Sequence, residues 1–152
     1  MIEFIIINVL CSAVGTISFA VLYNVPKQYY VGCGITGAAG WLMYCLIVGN
    51  DGSITMASFW GTVLVVLMSR VLAVYMKCPI TIFLVSGIFP LIPGSSVYYT
   101  AYYIVMNELS EAALKGILAL KIAFAISLAI VFVVSIPKQW FVWESLMRKL
   151  NK

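Results

Sequence analysis

Between Cys78 and Asn107 the chain carries no charged residue, yet this run contains the stretch Phe89-Pro90-Leu91-Ile92-Pro93-Gly94-Ser95-Ser96. So long an apolar run belongs in a membrane, where the backbone must be helical because hydrocarbon offers it no hydrogen-bond partner. Two prolines three residues apart remove amide donors and clash with the preceding turn. Gly94 frees the backbone for conformations that other residues avoid. The expected result is a helix broken inside the bilayer. Non-helical backbone is tolerated at that depth only where it is buried in protein or lines a polar cavity, so the break is the leading site candidate.

The rest of the composition agrees with a membrane solvent. Of 152 residues, 64% are hydrophobic and 9% charged, which excludes a soluble domain. The net charge of +4 does not point to nucleic acid, because the basic residues are scattered; Arg148, Lys149 and Lys152 gather near Trp140 and Trp143, as in a tail lying on a membrane surface. The sequence opens on Met1-Ile2-Glu3-Phe4, with an acid where a cleavable signal would be basic, so the first apolar segment is expected to be retained. There is no histidine, and the four cysteines Cys11, Cys33, Cys45 and Cys78 stand far apart without C-x-x-C spacing. The five acids form no pair inside a span. Metal, disulfide, cofactor and enzyme readings therefore lack their parts.

Taken in order, the hydropathy gives a first span from Phe4 to Tyr23, closed by Tyr23-Asn24-Val25-Pro26-Lys27. A second runs from about Tyr29 to Gly49, a third from Ile54 to about Met76, and a last from about Leu114 to Ile136 after the acidic segment Asn107-Glu108-Leu109-Ser110-Glu111. The stretch from Cys78 to Asn107, about 45 Å long if wholly helical, is too long for one straight span. It is either a broken crossing, Pro79 to Phe89 then Ser95 to Asn107, or a re-entrant hairpin. The charges favour the crossing: it puts Lys27, Lys77, Lys138, Arg148, Lys149 and Lys152 on one side and Asp51, Glu108 and Glu111 on the other. The expected fold is all-α and polytopic. It has five transmembrane helices in residues 1–136, the fourth broken at Pro90–Gly94, and a basic aromatic tail over 137–152. The N-terminus is expected outside and the C-terminus in the cytoplasm.

Gly32-Cys33-Gly34-Ile35-Thr36-Gly37 has the form G-x-G-x-x-G, but a dinucleotide fingerprint needs a preceding strand and a later acid that this segment does not offer. Gly32, Thr36 and Gly40 instead line one helix face at spacing i, i+4, as close helix packing requires. Arg70 falls within the third span and reads either as a snorkelling anchor or as a buried charge facing an anion or a carboxylate. Lys121 falls within the last span, and Ser95, Ser96, Tyr98, Tyr99 and Thr100 follow the break. A half-helix beginning at Ser95 or Ser96 would present free amides and a positive dipole end, suited to a carboxylate. Discontinuous helices of this kind recur in secondary transporters. The bland alternative is a proline kink needed only for shape.

Three stretches carry a family resemblance: Tyr23-Asn24-Val25-Pro26; Arg70 followed by Lys77-Cys78-Pro79; and Ile88-Phe89-Pro90-Leu91-Ile92-Pro93-Gly94 continuing to Tyr98-Tyr99-Thr100. The chain resembles the threonine/serine exporter family in its small-subunit type, which corresponds to the C-terminal half of full-length exporters. The resemblance implies a larger membrane partner corresponding to the N-terminal half. It implies export of threonine and serine, or of dicarboxylates such as succinate in split systems. Both substrate classes carry a carboxylate. Homo-oligomerisation stays open, and the competing reading is a noncatalytic membrane scaffold. A passive channel would need a ring of charge or a filter repeat, and the sequence has neither.

Overall fold

Four helices long and apolar enough to cross a bilayer, together with one bent pair, make up the protein in a computed structural model that describes residues 2–136. The helices are α1 (Ile2–Leu22), α2 (Tyr30–Gly49), α3 (Ile54–Tyr75), α4 (Thr81–Ile88), α5 (Gly94–Val105) and α6 (Leu109–Ser135). With α4 and α5 as one broken span, this is the five-crossing, all-α membrane fold that the hydropathy implies. The interfacial tail expected over 137–152 lies outside the described residues.

One backbone device ends four of the helices. Asn24, Asp51, Lys77 and Asn107 each have positive φ, between 51° and 60°, and each follows a helix end. Val25 N–H bonds the Ala20 carbonyl at 3.0 Å, Gly52 that of Ile47 at 2.9 Å, Cys78 that of Ala73 at 3.0 Å and Glu108 that of Tyr103 at 2.9 Å. This is the left-handed Schellman closure, which satisfies carbonyls that a helix end would otherwise leave bare. Asn and Asp tolerate the conformation because their short polar side chains bond locally. At the start of α3, the Ser53 hydroxyl accepts from Met56 N–H at 3.2 Å, a side-chain cap. One boundary differs from expectation: α6 begins at Leu109 rather than near Leu114. Glu111 is thereby in its first turn, where a negative charge meets the positive end of the helix dipole.

Small residues on α2 decide the packing. A Cβ at Gly32 would come within 2.6 Å of Phe83, the Thr36 methyl lies against Gly87, and Gly40 faces Leu91. These three contacts keep a constant offset, so α2 and α4 run parallel with ridge in groove. Gly40 also closes on Gly61 and Val65 of α3, and Gly37 on Thr16 of α1. The Ser12 hydroxyl donates to the Gly37 carbonyl at 3.2 Å. Two buried clusters result, one around Ala20, Cys33, Ala73 and Phe83 and one around Val65, Leu91, Ile122 and Ile126.

The sides of the bundle follow from these registers. Parallel packing puts Lys27, before α2, and Lys77, before α4, at the same end. The bend between α4 and α5 is 49°, so α5 continues onward rather than folding back as a hairpin would. The α6 helix ends beside Arg70 near the close of α3, while Asp51 and Glu108 sit at the opposite end.

The packing makes a direct prediction. Gly37→Ala and Gly40→Ala should each destabilise the protein by about 1–3 kcal/mol, because the added methyl falls on the buried Thr16 and Val65. Gly15→Ala, whose Cβ would meet nothing within 4 Å, should be neutral or stabilising by up to about 1 kcal/mol through helix propensity. Thermal melts of the detergent-solubilised variants check this. Three equal melting temperatures would remove the packing role.

Candidate functional site

The break is built by proline chemistry in three steps. After α4 the chain tightens into a 3-10 turn over Phe89–Leu91, with Pro90 in its first positions and Phe89 N–H on the Ser86 carbonyl. Ile92 then turns extended at φ −63°, ψ 133°. Pro93, at φ −76°, ψ 55°, centres an inverse γ-turn in which Gly94 N–H donates to the Ile92 carbonyl at 2.7 Å. The first bond of the α5 ladder is Val97 N–H to the Pro93 carbonyl at 3.1 Å. The amides of Ser95 and Ser96 therefore donate to no acceptor among the described residues.

Gly94 does not play the part its sequence position suggests. Its φ is negative, it is the first residue of α5, and a Cβ there would meet nothing within 4 Å. The two prolines, not glycine freedom, interrupt the helix. The half-helix accordingly starts at Gly94, one or two residues before the expected Ser95 or Ser96.

Around the break, Leu91 is buried with Val65, Ile122 and Ile126, and Phe89 stacks on Phe19 of α1. Thr100 lies against Gly116. That antiparallel register sets the start of α5 level with Lys121 and Ile122, halfway along α6. Ser95 is exposed and Ser96 half-buried. Two nearby hydroxyls are already engaged: Ser86 with the Ile82 carbonyl and Thr100 with that of Ser96, both at 2.7 Å. Tyr98 and Tyr99 are exposed and meet edge to face. The α5 helix has no buried residue and one substantial helical neighbour, α6. The 3-10 turn of the break is packed against α1, α2 and α3, whereas α5 beyond it is open on the side away from α6.

A family model described as the threonine/serine exporter ThrE matches residues 8–136, most of the chain. The chain belongs to the threonine/serine exporter family. Membership implies a membrane exporter of the threonine/serine type, in contact with the lipid bilayer. No curated protein and no solved structure matches it.

In this exporter-family chain Arg70 is not at the break. Its guanidinium donates to the carbonyls of Val133 and Ile136 at 2.9 Å each and to that of Val134 at 3.4 Å. These are end-of-helix carbonyls of α6, where a cation also meets the negative end of the dipole. Along α6 this is about 20 Å from Ile122 beside the break, by helical rise. Lys121 is at the level of the break but exposed on the other flank of α6, facing Met56 and Phe59 of α3. Gly32, Thr36 and Gly40 are all buried, in the helix contacts described above.

Most buried hydroxyls are spent locally. Thr16, Thr36, Ser58, Thr62 and Ser69 each donate to the carbonyl four residues back, at 2.7–2.9 Å. Trp41, to which the sequence drew no attention, has a buried Nε1–H with no partner among the described residues. It stacks on Tyr44 and packs against the cluster that holds Leu91. Its signal in the sequence is a tryptophan in mid-span, away from the interfacial belt that the residue prefers. In the linker before α4, burial pushes the Cys78 thiol above its ordinary pKa, with Cys33 adding to the shift. That thiol stays protonated and a poor nucleophile at neutral pH.

Arg70→Ala should leave the end of α6 uncapped and cost about 1–3 kcal/mol, the range for hydrogen bonds to a charged group. Arg70→Lys should recover part of this, since an ammonium keeps the charge but loses the planar fork. Melting temperatures of the purified variants measure both effects. A melt of Arg70→Ala identical to that of the parent would show that the clamp contributes nothing.

Proposed function

We propose that this chain is the membrane subunit of a secondary transporter that exports small carboxylate-bearing metabolites: threonine and serine, or a dicarboxylate such as succinate. A larger partner subunit, corresponding to the N-terminal half of the family's exporters, completes the pathway. The observation that carries the reading is the pair of unbonded amides at Ser95 and Ser96, at the positive end of α5 and level with the middle of α6. A carboxylate meets there two oriented donors and a favourable dipole. Midplane sites at half-helix termini are the recurring design of such transporters. Tyr98, Tyr99 and Thr100 on the following turns, with Pro90 and Pro93 setting the break, belong to the same site or its gate.

The open flank of α5 supports the partner, since one neighbour cannot enclose a substrate. Lys27 and Lys77 share one end of the bundle, which the positive-inside tendency assigns to the cytoplasm. The N-terminus is then outside and the C-terminus inside. A noncatalytic scaffold drew its sequence support from the small-residue stripe of α2, but that stripe is occupied within the chain by α3 and α4.

Replacing Pro90 and Pro93 with alanine, alone or with Gly94→Ala, restores two backbone donors and helix propensity, so α4 and α5 should anneal and occupy the free amides. We expect normal membrane abundance with efflux reduced about tenfold or more, the effect of losing about 1.4 kcal/mol of site affinity. Gly94→Ala alone should export like the parent. Efflux from proteoliposomes containing both subunits, read beside membrane abundance, is the measurement. Parent-rate export by a normally inserted double-proline variant would end the site assignment.

A further inference from the structure

The break separates groups that a continuous helix would join. Unbroken, the chain would bond Gly94 N–H to the Pro90 carbonyl, Ser95 N–H to that of Leu91 and Ser96 N–H to that of Ile92. Instead Gly94 N–H turns to the Ile92 carbonyl at 2.7 Å, and no hydrogen-bonded turn encloses Ile92 or Pro93. The amides of Ser95 and Ser96 are thereby left on one side of the gap and the carbonyls of Pro90 and Leu91 on the other. Among the described residues those two carbonyls accept no hydrogen bond. Leu91 is 3% exposed, which leaves its carbonyl little access to water, and a bare buried acceptor in a membrane protein calls for a partner.

The two sides have opposite chemistry. The α5 helix starts with donors at the positive end of its dipole, whereas the segment Thr81–Leu91 before the break ends in acceptors at its negative end. A carboxylate on the amides has nothing to offer the carbonyls, and a second carboxylate would be repelled by them. What they take is a hydrogen-bond donor, best a cationic one. Two carbonyls are too few for a hard metal ion, which collects about six oxygens or more, and the described residues hold no group of three His, Cys, Asp or Glu that could bind one. An ammonium is a compact donor that two carbonyls can serve.

We propose that the Pro90 and Leu91 carbonyls form an ammonium subsite, so that the two sides of the break hold the two ends of one α-amino acid. The proposal rests on the carboxylate reading above and narrows its substrate class: a zwitterion satisfies both sides of the break, a dicarboxylate only one. It also gives an amino-acid site a counter-charge without an acidic side chain. None of the five acids, Glu3, Asp51, Glu108, Glu111 and Glu144, lies between Cys78 and Asn107, and backbone dipoles take their place.

The test compares threonine with 3-hydroxybutyrate, which has hydrogen in place of the amino group, and with succinate. Efflux is measured from proteoliposomes containing both subunits. Threonine should be exported with a KM about tenfold or more below that of either other probe, as expected when hydrogen bonds to a charged group are lost. A backbone ester in place of the Leu91–Ile92 amide, introduced as the hydroxy-acid counterpart of isoleucine, weakens the Leu91 carbonyl as an acceptor. It should raise the KM for threonine about threefold or more and leave that for 3-hydroxybutyrate unchanged. General damage, including the loss of Ile92 N–H, would raise both alike. Equal KM values for threonine and 3-hydroxybutyrate in the parent, a preference for succinate, or an inserted ester variant in which both probes or neither shift, would overturn the proposal. The probe comparison needs no variant, so it still decides if the ester chain fails to insert. Export of the other probes as readily as threonine leaves the transport reading standing without this one, and a complex that moves none of the three ends both.

Discussion

Between helices in hydrocarbon there is no hydrophobic drive, because lipid tails are as apolar as the side chains they would replace. Cohesion has to come from close contact, and α2 supplies it by presenting almost no side chain where its neighbours cross. Phe83, Gly87 and Leu91 come down on Gly32, Thr36 and Gly40 in register. The third rung of that ladder, Leu91, closes the 3-10 turn. The depth of the break is therefore set by α2 as much as by the prolines. A larger residue at Gly40 would displace Leu91, and the start of α5 with it.

The same solvent explains the economy of the polar groups. Helix ends close on their own carbonyls through left-handed residues, buried hydroxyls bond one turn back, and the end of α6 borrows the Arg70 guanidinium. Against this background, the unbonded amides of Ser95 and Ser96 contrast with their surroundings. Membranes do not tolerate such groups without water, protein or a ligand to meet them. Among the described residues, the side of α5 that faces away from α6 is exposed and can bring any of these to them.

Much of this architecture was legible beforehand because it depends on local chemistry. Span lengths follow from hydropathy, and the interruption follows from what Pro90 and Pro93 cannot donate. What was not legible depends on partners distant in sequence. Arg70 had two readings because nothing near it in the chain reveals that the end of α6 lies across from it, 63 residues away. Gly94 looked like the hinge because glycine permits positive φ, but permission is not use, and the γ-turn at Pro93 made it unnecessary. The start of α6 was misplaced by five residues because an acidic segment reads as a loop until its Glu111 is seen to complement a helix dipole.

That prolines rather than glycine make the break has a physical consequence. A glycine hinge could re-form a continuous helix at small cost, since every amide needed for the ladder would still be present. Pro90 and Pro93 cannot supply the donors that the carbonyls of Ser86 and Phe89 would need from four residues on, and their rings obstruct the same turn. The structure turns those carbonyls to shorter-range bonds, from Phe89 N–H and Ile92 N–H. The interruption is thus fixed by covalent structure and does not wait for a ligand to open it. An anion bound at the start of α5, as proposed above, would find its donors already free and oriented. None of its binding energy would go into unwinding a helix, which is the advantage that preorganisation confers on any site.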